Sequence, residues 1–355
     1  MKYDAILIVG FGGPEGREDV VPFLENVLRG RNVPHERMLE VAEHYYRFEG
    51  ISPINQQVRN VISALQTELQ QHNITLPIYW GNRNWKPMLA ETMQQMKEEK
   101  VSHALGLVLS AYGSYSSCRQ YLEDIKNGQQ IVGEESPSVD KIRLFYNHPN
   151  FITANKENLQ QAVTQLSTLP NESLSDESSC NESSYNEFHV AFTAHSLPIS
   201  MAKNCQYVEQ LQETCRLVAE GIGLPSNRWK LVYQSRSGRP SDPWLEPDIC
   251  DYIETLHQAD VKNIIIMPIG FLSDHIEVLY DLDEEAKTKT EQLGITMVRA
   301  ATVGVHPQFI TMLRLLIEER LTTDSEKLAI GYHCAATDVC STECCPAPQR
   351  HRTQI

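Results

Sequence analysis

Six short apolar runs punctuate the chain: Ala5–Val9, Pro77–Trp80, Ala104–Ser110, Val190–Ala194, Leu231–Tyr233 and Ile264–Pro268. Each has the length of a buried strand, and amphipathic stretches lie between them. The pattern predicts parallel βαβ units and an α/β fold. Every run gives way to unusual residues: Gly12-Gly13, Gly81-Asn82-Arg83, Tyr112-Gly113-Ser114-Tyr115, His195-Ser196, Gln234-Ser235-Arg236 and Asp274-His275. Open α/β sheets place their sites at the carboxyl ends of strands, so six strand ends are expected to line one cleft. A polar break at Asn147-His148-Pro149 divides a first domain, 1–147, from a second, 148–322. A last amphipathic helix, about Gln308 to Leu321, is expected to pack back on the body ahead of a cysteine-rich tail, 323–355. The Ser-, Asn- and Glu-rich tract 170–187, which includes Cys180, has little to bury and reads as an exposed insertion.

The run Asn263 to Phe271 (NIIIMPIGF) leads into Ser273-Asp274-His275-Ile276-Glu277 and then a helix with acids at 277, 281 and 285. At 3.6 residues per turn these three drift slowly around the helix and form one stripe. Oxygen ligands in a line towards a histidine suit a divalent cation; a solvated acidic face near the helix's positive end is the competing reading. His275 and Glu277, two apart, are expected to face different ways if both are helical. His195 ends an apolar strand, and its imidazole can take a proton from a weakly acidic N–H or ligate a metal. Packing against a neighbouring loop is the structural alternative. Phe11, Trp85, Tyr112, Tyr115 and Trp244, all near strand ends, could floor a cleft for a flat ligand or pack in the core. The glycine-rich turn Gly10 to Gly16 lacks the spacing and the Lys-Ser/Thr of a phosphate-binding loop.

Composition narrows the field. The chain has 355 residues, 41% of them hydrophobic and 22% charged, and a formal charge of −15. That balance argues against nucleic acid and anionic lipid and fits the handling of cations. No apolar stretch is long enough to span a membrane and the amino terminus lacks a signal-peptide layout, so a cytoplasmic location is expected, with peripheral membrane contact still allowed. Nine cysteines are then not expected to form structural disulfides.

Three long motifs occur in order: FTAHSLP at Phe192 to Pro198, YQSRSG followed by PWLEP at Tyr233 to Pro247, and GFLSDHIEVLYDLD at Gly270 to Asp283. Together with GFGGPEG near residue 10, SPIN at Ser52 and GNRNW at Gly81, they closely resemble ferrochelatase over about nine tenths of the chain. The resemblance implies two Rossmann-like domains flanking a porphyrin cleft, and a lyase of haem biosynthesis that inserts Fe(II), its substrate, into a porphyrin with release of two protons. It makes His195 and Glu277 the catalytic pair, with Asp281 and Glu285 completing a metal path. Phe11, Arg83, Ser114, Tyr115, Trp244 and His275 become substrate contacts. Some bacterial relatives have a tyrosine where this chain has Phe11, and phenylalanine cannot ligate iron, so any axial bond to product haem falls first to His195. The pattern is most similar to the actinobacterial branch, associated with coproporphyrin III, and both that porphyrin and protoporphyrin IX stay open as substrates. Two rivals are a cobalt or nickel chelatase for another tetrapyrrole and a non-catalytic haem or porphyrin carrier with an iron-sulfur sensing tail.

Cys334, Cys340, Cys344 and Cys345 lie within a dozen residues, and thiols at that density suit zinc or an iron-sulfur cluster; incidental cysteines in a flexible tail are the alternative. The resemblance implies a two-iron, two-sulfur cluster with one ligand from the first domain. The expected set is Cys118, Cys334, Cys340 and Cys345, with Cys344 as a substitute.

Overall fold

A computed structural model describes residues 3–30, 33–169, 188–237, 242–322, 325–341 and 343–347. The insertion 170–187 and the end of the tail lie outside these. The first half runs β1 (Ala5–Gly10), α1 (Val20–Val27), α2 (His35–Arg47), α3 (Ile54–Gln71), β2 (Ile78–Asn82), α4 (Leu89–Glu98), β3 (His103–Val108), α5 (Gln120–Val132) and β4 (Ser138–Lys141). The second runs α6 (Pro149–Thr168), β5 (His189–His195), α7 (Ile199–Ala202), α8 (Tyr207–Gly221), β6 (Trp229–Gln234), α9 (Ile249–Gln258) and β7 (Asn263–Met267). It continues through α10 (Ile276–Val278), α11 (Lys287–Gln292), β8 (Thr296–Arg299) and α12 (Pro307–Leu321).

The strands form two parallel four-stranded sheets, ordered β2-β1-β3-β4 and β6-β5-β7-β8. All six predicted strands are present, and each sheet gains one the apolar pattern did not disclose. β4 (SVDK) and β8 (TMVR) are four-residue edge strands, partly exposed, and carry no continuous apolar run. The central strands differ for a physical reason. β1 and β7 are covered on both faces and buried at every position, which a parallel sheet flanked by helices requires.

One apolar core is shared by both halves: Ile6, Ile8 and Leu107 of the first sheet belong to the same packed cluster as Phe192, Ile265 and Met267 of the second. Helix α12 packs on α3 and on α6, which ties the end of the chain to both halves. Helices α6 and α12 start alike, with a histidine whose Nδ1 accepts the N–H two residues on, at 3.2 Å, followed by proline at the first turn. The glycine-rich turn after β1 is packed against protein. Gly12 has φ +82, and a Cβ there would sit 2.9 Å from that of Asn82. Because every strand is parallel within its sheet, the carboxyl ends emerge together on one side of each sheet.

Candidate active site

His195 is the last residue of β5, and β6 runs beside it with Gln234 in register. Its Nδ1 lies 2.5 Å from the carbonyl of Ser196, which can only accept, so Nδ1 carries the proton and Nε2 keeps its lone pair. Tyr207 fixes the same segment by donating its hydroxyl to the His195 carbonyl at 3.1 Å. Nε2 faces Glu277 Oε2 at 3.8 Å, too long for a hydrogen bond and within reach of an ion pair. Both side chains remain partly exposed.

Glu277 follows β7 across a loop. The same carboxylate oxygen is 3.2 Å from Nε2 of His275, which overturns the expectation that residues two apart must diverge. His275 is extended, with φ −152 and ψ 178, and stands before the first helical turn, so helical angles do not apply to it. Nδ1 of His275 is buried without a hydrogen-bond partner. The expected uninterrupted α-helix is also corrected: Leu279–Ala286 is a π-helix between α10 and α11. Its wider turn takes more than four residues, so successive four-residue steps stay on one face and the acidic stripe survives.

Asp281 accepts from the Ser235 hydroxyl and from Gln234 Nε2 at 3.3 Å. Burial pushes its carboxyl up to about 7, opposed by the Ser235 bond and reinforced by Glu277 and Glu285. Burial also raises Glu285, with Asp248 adding to it. Glu285 opens on a groove of about 850 Å³ lined also by Arg47, Asp248, Cys250 and Glu284. The stripe therefore runs from an open groove inward to the two imidazoles.

The opposite wall comes from the first half. Phe23, Tyr45 and Trp85 form an aromatic cluster with Ile276, and Phe11 packs edge-on to Phe23 with centroids 6.3 Å apart. Helix α2 reaches the π-helix, where His44 stacks on Tyr280 at 3.7 Å and Arg47 pairs with Glu284 at 2.9 Å. Tyr45, His44 and Asp248 carried no sequence signal, since each falls in an ordinary helical or loop pattern.

Arg83 is partly buried, with Nε 2.5 Å from Asp124, Nη1 on the Ser116 carbonyl at 3.0 Å, Cζ 3.6 Å from the Tyr121 ring centroid, and Nη2 buried without a partner. Tyr115 is half-buried and donates to Glu123 at 3.0 Å. Ser114 is fully buried and its hydroxyl caps the turn that begins at Tyr115, accepting from Ser117 N at 3.1 Å. Tyr112 belongs to the core, its hydroxyl on the Ile269 carbonyl at 2.9 Å. Trp244 bridges to Pro198 beside the His195 loop, and its Nε1 is buried and unpartnered.

The tail brings four thiols together. Cys118 donates to Cys340, which with help from Lys141 holds Cys340 down at about 6 against the effect of burial. Cys344 and Cys345 have sulfurs 3.5 Å apart, and Cys205 lies near both. Cys334 is exposed, with its carbonyl 3.4 Å from Asn147 Nδ2. Among the described residues no group of three or more His, Cys, Asp and Glu side chains is arranged to hold a metal ion.

Two parallel four-stranded sheets, the second presenting a histidine and a carboxylate beyond its strand ends, form a fold that solved chelatase structures share. SirB from Bacillus subtilis with Fe3+ superposes with a TM-score of 0.53 at 12% identity, covering 89% of this chain and 96% of that one. A model of the ferrochelatase family matches residues 3–321. A ferrochelatase of Rhodopirellula baltica is 49% identical, over 97% of this chain and 93% of its own. A coproporphyrin III ferrochelatase of Streptomyces coelicolor is 43% identical, over 97% and 94%. The chain belongs to the ferrochelatase family. No helix among the described residues is long and apolar enough to cross a membrane.

Proposed function

We propose that the protein works in the cytoplasm as a ferrochelatase of haem synthesis, inserting ferrous iron into a porphyrin with release of two protons. The observation that carries the mechanism is the seating of the His195 ring, with Nδ1 on the Ser196 carbonyl and Nε2 turned to Glu277. A porphyrin gives up two pyrrole protons as the metal enters, and the Nε2 lone pair is placed to receive a proton. Glu277 stabilises the resulting imidazolium, and His275 holds the carboxylate in place through the same oxygen. Ferrous iron, a substrate, reaches the pair from the groove by way of Glu285 and Asp281. The aromatic cluster around Phe23, Tyr45, Trp85 and Phe11 supplies an apolar face, and Arg83 and Tyr115, which in this structure pair with Asp124 and Glu123, are the residues we assign to the carboxylate arms of the macrocycle.

The names of relatives in Streptomyces and Nocardia make coproporphyrin III the first substrate to test. Purified protein, anaerobic Fe(II), and coproporphyrin III against protoporphyrin IX, followed by the absorbance change on metallation, decides activity and substrate together. Failure to metallate either would reject the reading.

A two-iron, two-sulfur cluster remains a subsidiary proposal. It rests on the chemistry of the gathered donor set, Cys118, Cys340, Cys344 and Cys345, with Cys344 in place of Cys334, and loading would require these thiols to rearrange around the metal. Iron and acid-labile sulfide in anaerobically purified protein, and their loss in Cys340→Ser, test it. One bound zinc and no sulfide would replace the cluster with a zinc site.

A further inference from the structure

We infer that the side-chain amide of Gln234 is a reversible station on the cation path, offering its nitrogen to the acids when no metal is there and its oxygen when a divalent cation arrives. The inference rests on the proposed path through Glu285 and Asp281 and adds a ligand to it.

Gln234 ends β6 directly beside His195, and its carbonyl accepts from Ser196 N at 2.8 Å. The residue is 1% exposed. Its Nε2 lies 3.1 Å from the Glu277 carbonyl, 3.3 Å from Asp281 Oδ2 and 3.5 Å from the Ser235 hydroxyl. Three oxygens from the catalytic loop, the acid stripe and the β6 end thus meet at one amide. The amide's own oxygen is buried and has no hydrogen-bond partner.

A buried carbonyl oxygen without a donor is an unfavourable arrangement, and native proteins rarely keep one without a use. Amide nitrogen and oxygen are close to isosteric, so half a turn about the last side-chain torsion exchanges them. Without a cation the turned form is repelled, because it would put a fourth oxygen among three. With a divalent cation the sign reverses: Gln234 Oε1, the Glu277 carbonyl, Asp281 Oδ2 and the Ser235 hydroxyl become an oxygen-rich donor set of the kind hard and borderline cations prefer. The position is also the right one, between the outer acids and the His195–Glu277 pair, so the cation can be handed on one step at a time.

The test uses full-length, porphyrin-free protein titrated with cobalt(II) by calorimetry. Wild type is compared with Gln234→Leu, Gln234→Glu and Asp281→Asn. Losing the amide oxygen in Gln234→Leu should weaken cobalt binding about tenfold or more. Gln234→Glu keeps an oxygen and discards the donor, and should bind at least as tightly as wild type. With ferrous iron and porphyrin, Gln234→Leu should raise KM for iron by a similar factor, with kcat at saturating iron little changed. Wild-type cobalt affinity in Gln234→Leu, with Asp281→Asn weakened, would remove Gln234 from the path and leave the path standing. Gln234→Glu weakened as much as Gln234→Leu would make the amide a structural donor and overturn the inference. Unchanged binding in Asp281→Asn would reject the path and the station together. If Gln234→Leu does not fold, the Gln234→Glu arm decides.

Discussion

His195 and Glu277 face each other at 3.8 Å, Nε2 to Oε2, from two different strand ends of the second sheet. The ring cannot turn that nitrogen away cheaply, since Nδ1 is bound to the Ser196 carbonyl within its own chain. A base and its counter-charge are thereby preset before any substrate binds.

His195→Ala should therefore lose metal insertion by about 10²- to 10⁴-fold, the range general-base removal commands. Porphyrin binding, followed by fluorescence quenching, should stay near wild type because the aromatic wall is untouched. Glu277→Gln keeps the volume and removes the charge, so it should be severely impaired as well. Near-wild-type turnover of His195→Ala would place the base elsewhere.

Asp281→Asn and Glu285→Gln should act earlier, on iron supply. Their expected signature is a raised apparent KM for ferrous iron, with kcat at saturating iron much less affected than in Glu277→Gln. Steady-state kinetics against iron concentration separate the two. Equal losses of kcat in all three variants would contradict a delivery role for the outer acids.

His148, fully buried at the start of α6, gives stability a pH dependence. Burial first, and Arg143 second, depress its pKa to about 3. The unfolded chain would titrate it near the ordinary histidine value of about 6.5. Between those values the unfolded state binds the extra proton, so this group's contribution to stability is present above about pH 6.5 and is lost progressively as pH falls towards 3. His148→Asn keeps a side chain able to cap the helix and removes the titration. Urea unfolding at pH 7.5 and 5 should show a smaller drop in that variant, and an identical drop would exclude His148 as a source.

Arg143 and Glu319 form a buried, two-pronged ion pair at 2.8 and 2.7 Å, and Arg143 also donates to the Leu328 carbonyl of the tail at 2.9 Å. Removing one partner strands a buried charge, so Glu319→Leu should cost about 3–5 kcal/mol. The double variant Arg143→Met/Glu319→Leu should recover much of that loss. Denaturant unfolding measures both, and a single variant within about 0.5 kcal/mol of wild type, the range of ordinary surface substitutions, would show the pair to be dispensable.

The chain by itself determined the six apolar strands, the parallel sheets and the residues at their carboxyl ends, because burial against the flanking helices demands apolar runs that are visible locally. His195 at the end of β5 and the spacing of Glu277, Asp281 and Glu285 were legible for the same reason. Other features arose only in three dimensions. The edge strands β4 and β8 are held by ladder hydrogen bonds to a neighbour and not by an apolar run of their own. The π turn of 279–286 and the extended backbone of His275, which brings that imidazole onto Glu277, depend on how the loop after β7 seats against the sheet. Likewise the gathering of Cys118 with Cys340 and Cys345, and the meeting of Gln234 with Glu277 and Asp281 more than forty residues away, are set by distances through space. Sequence periodicity records which faces are buried; it carries no term for which buried groups meet.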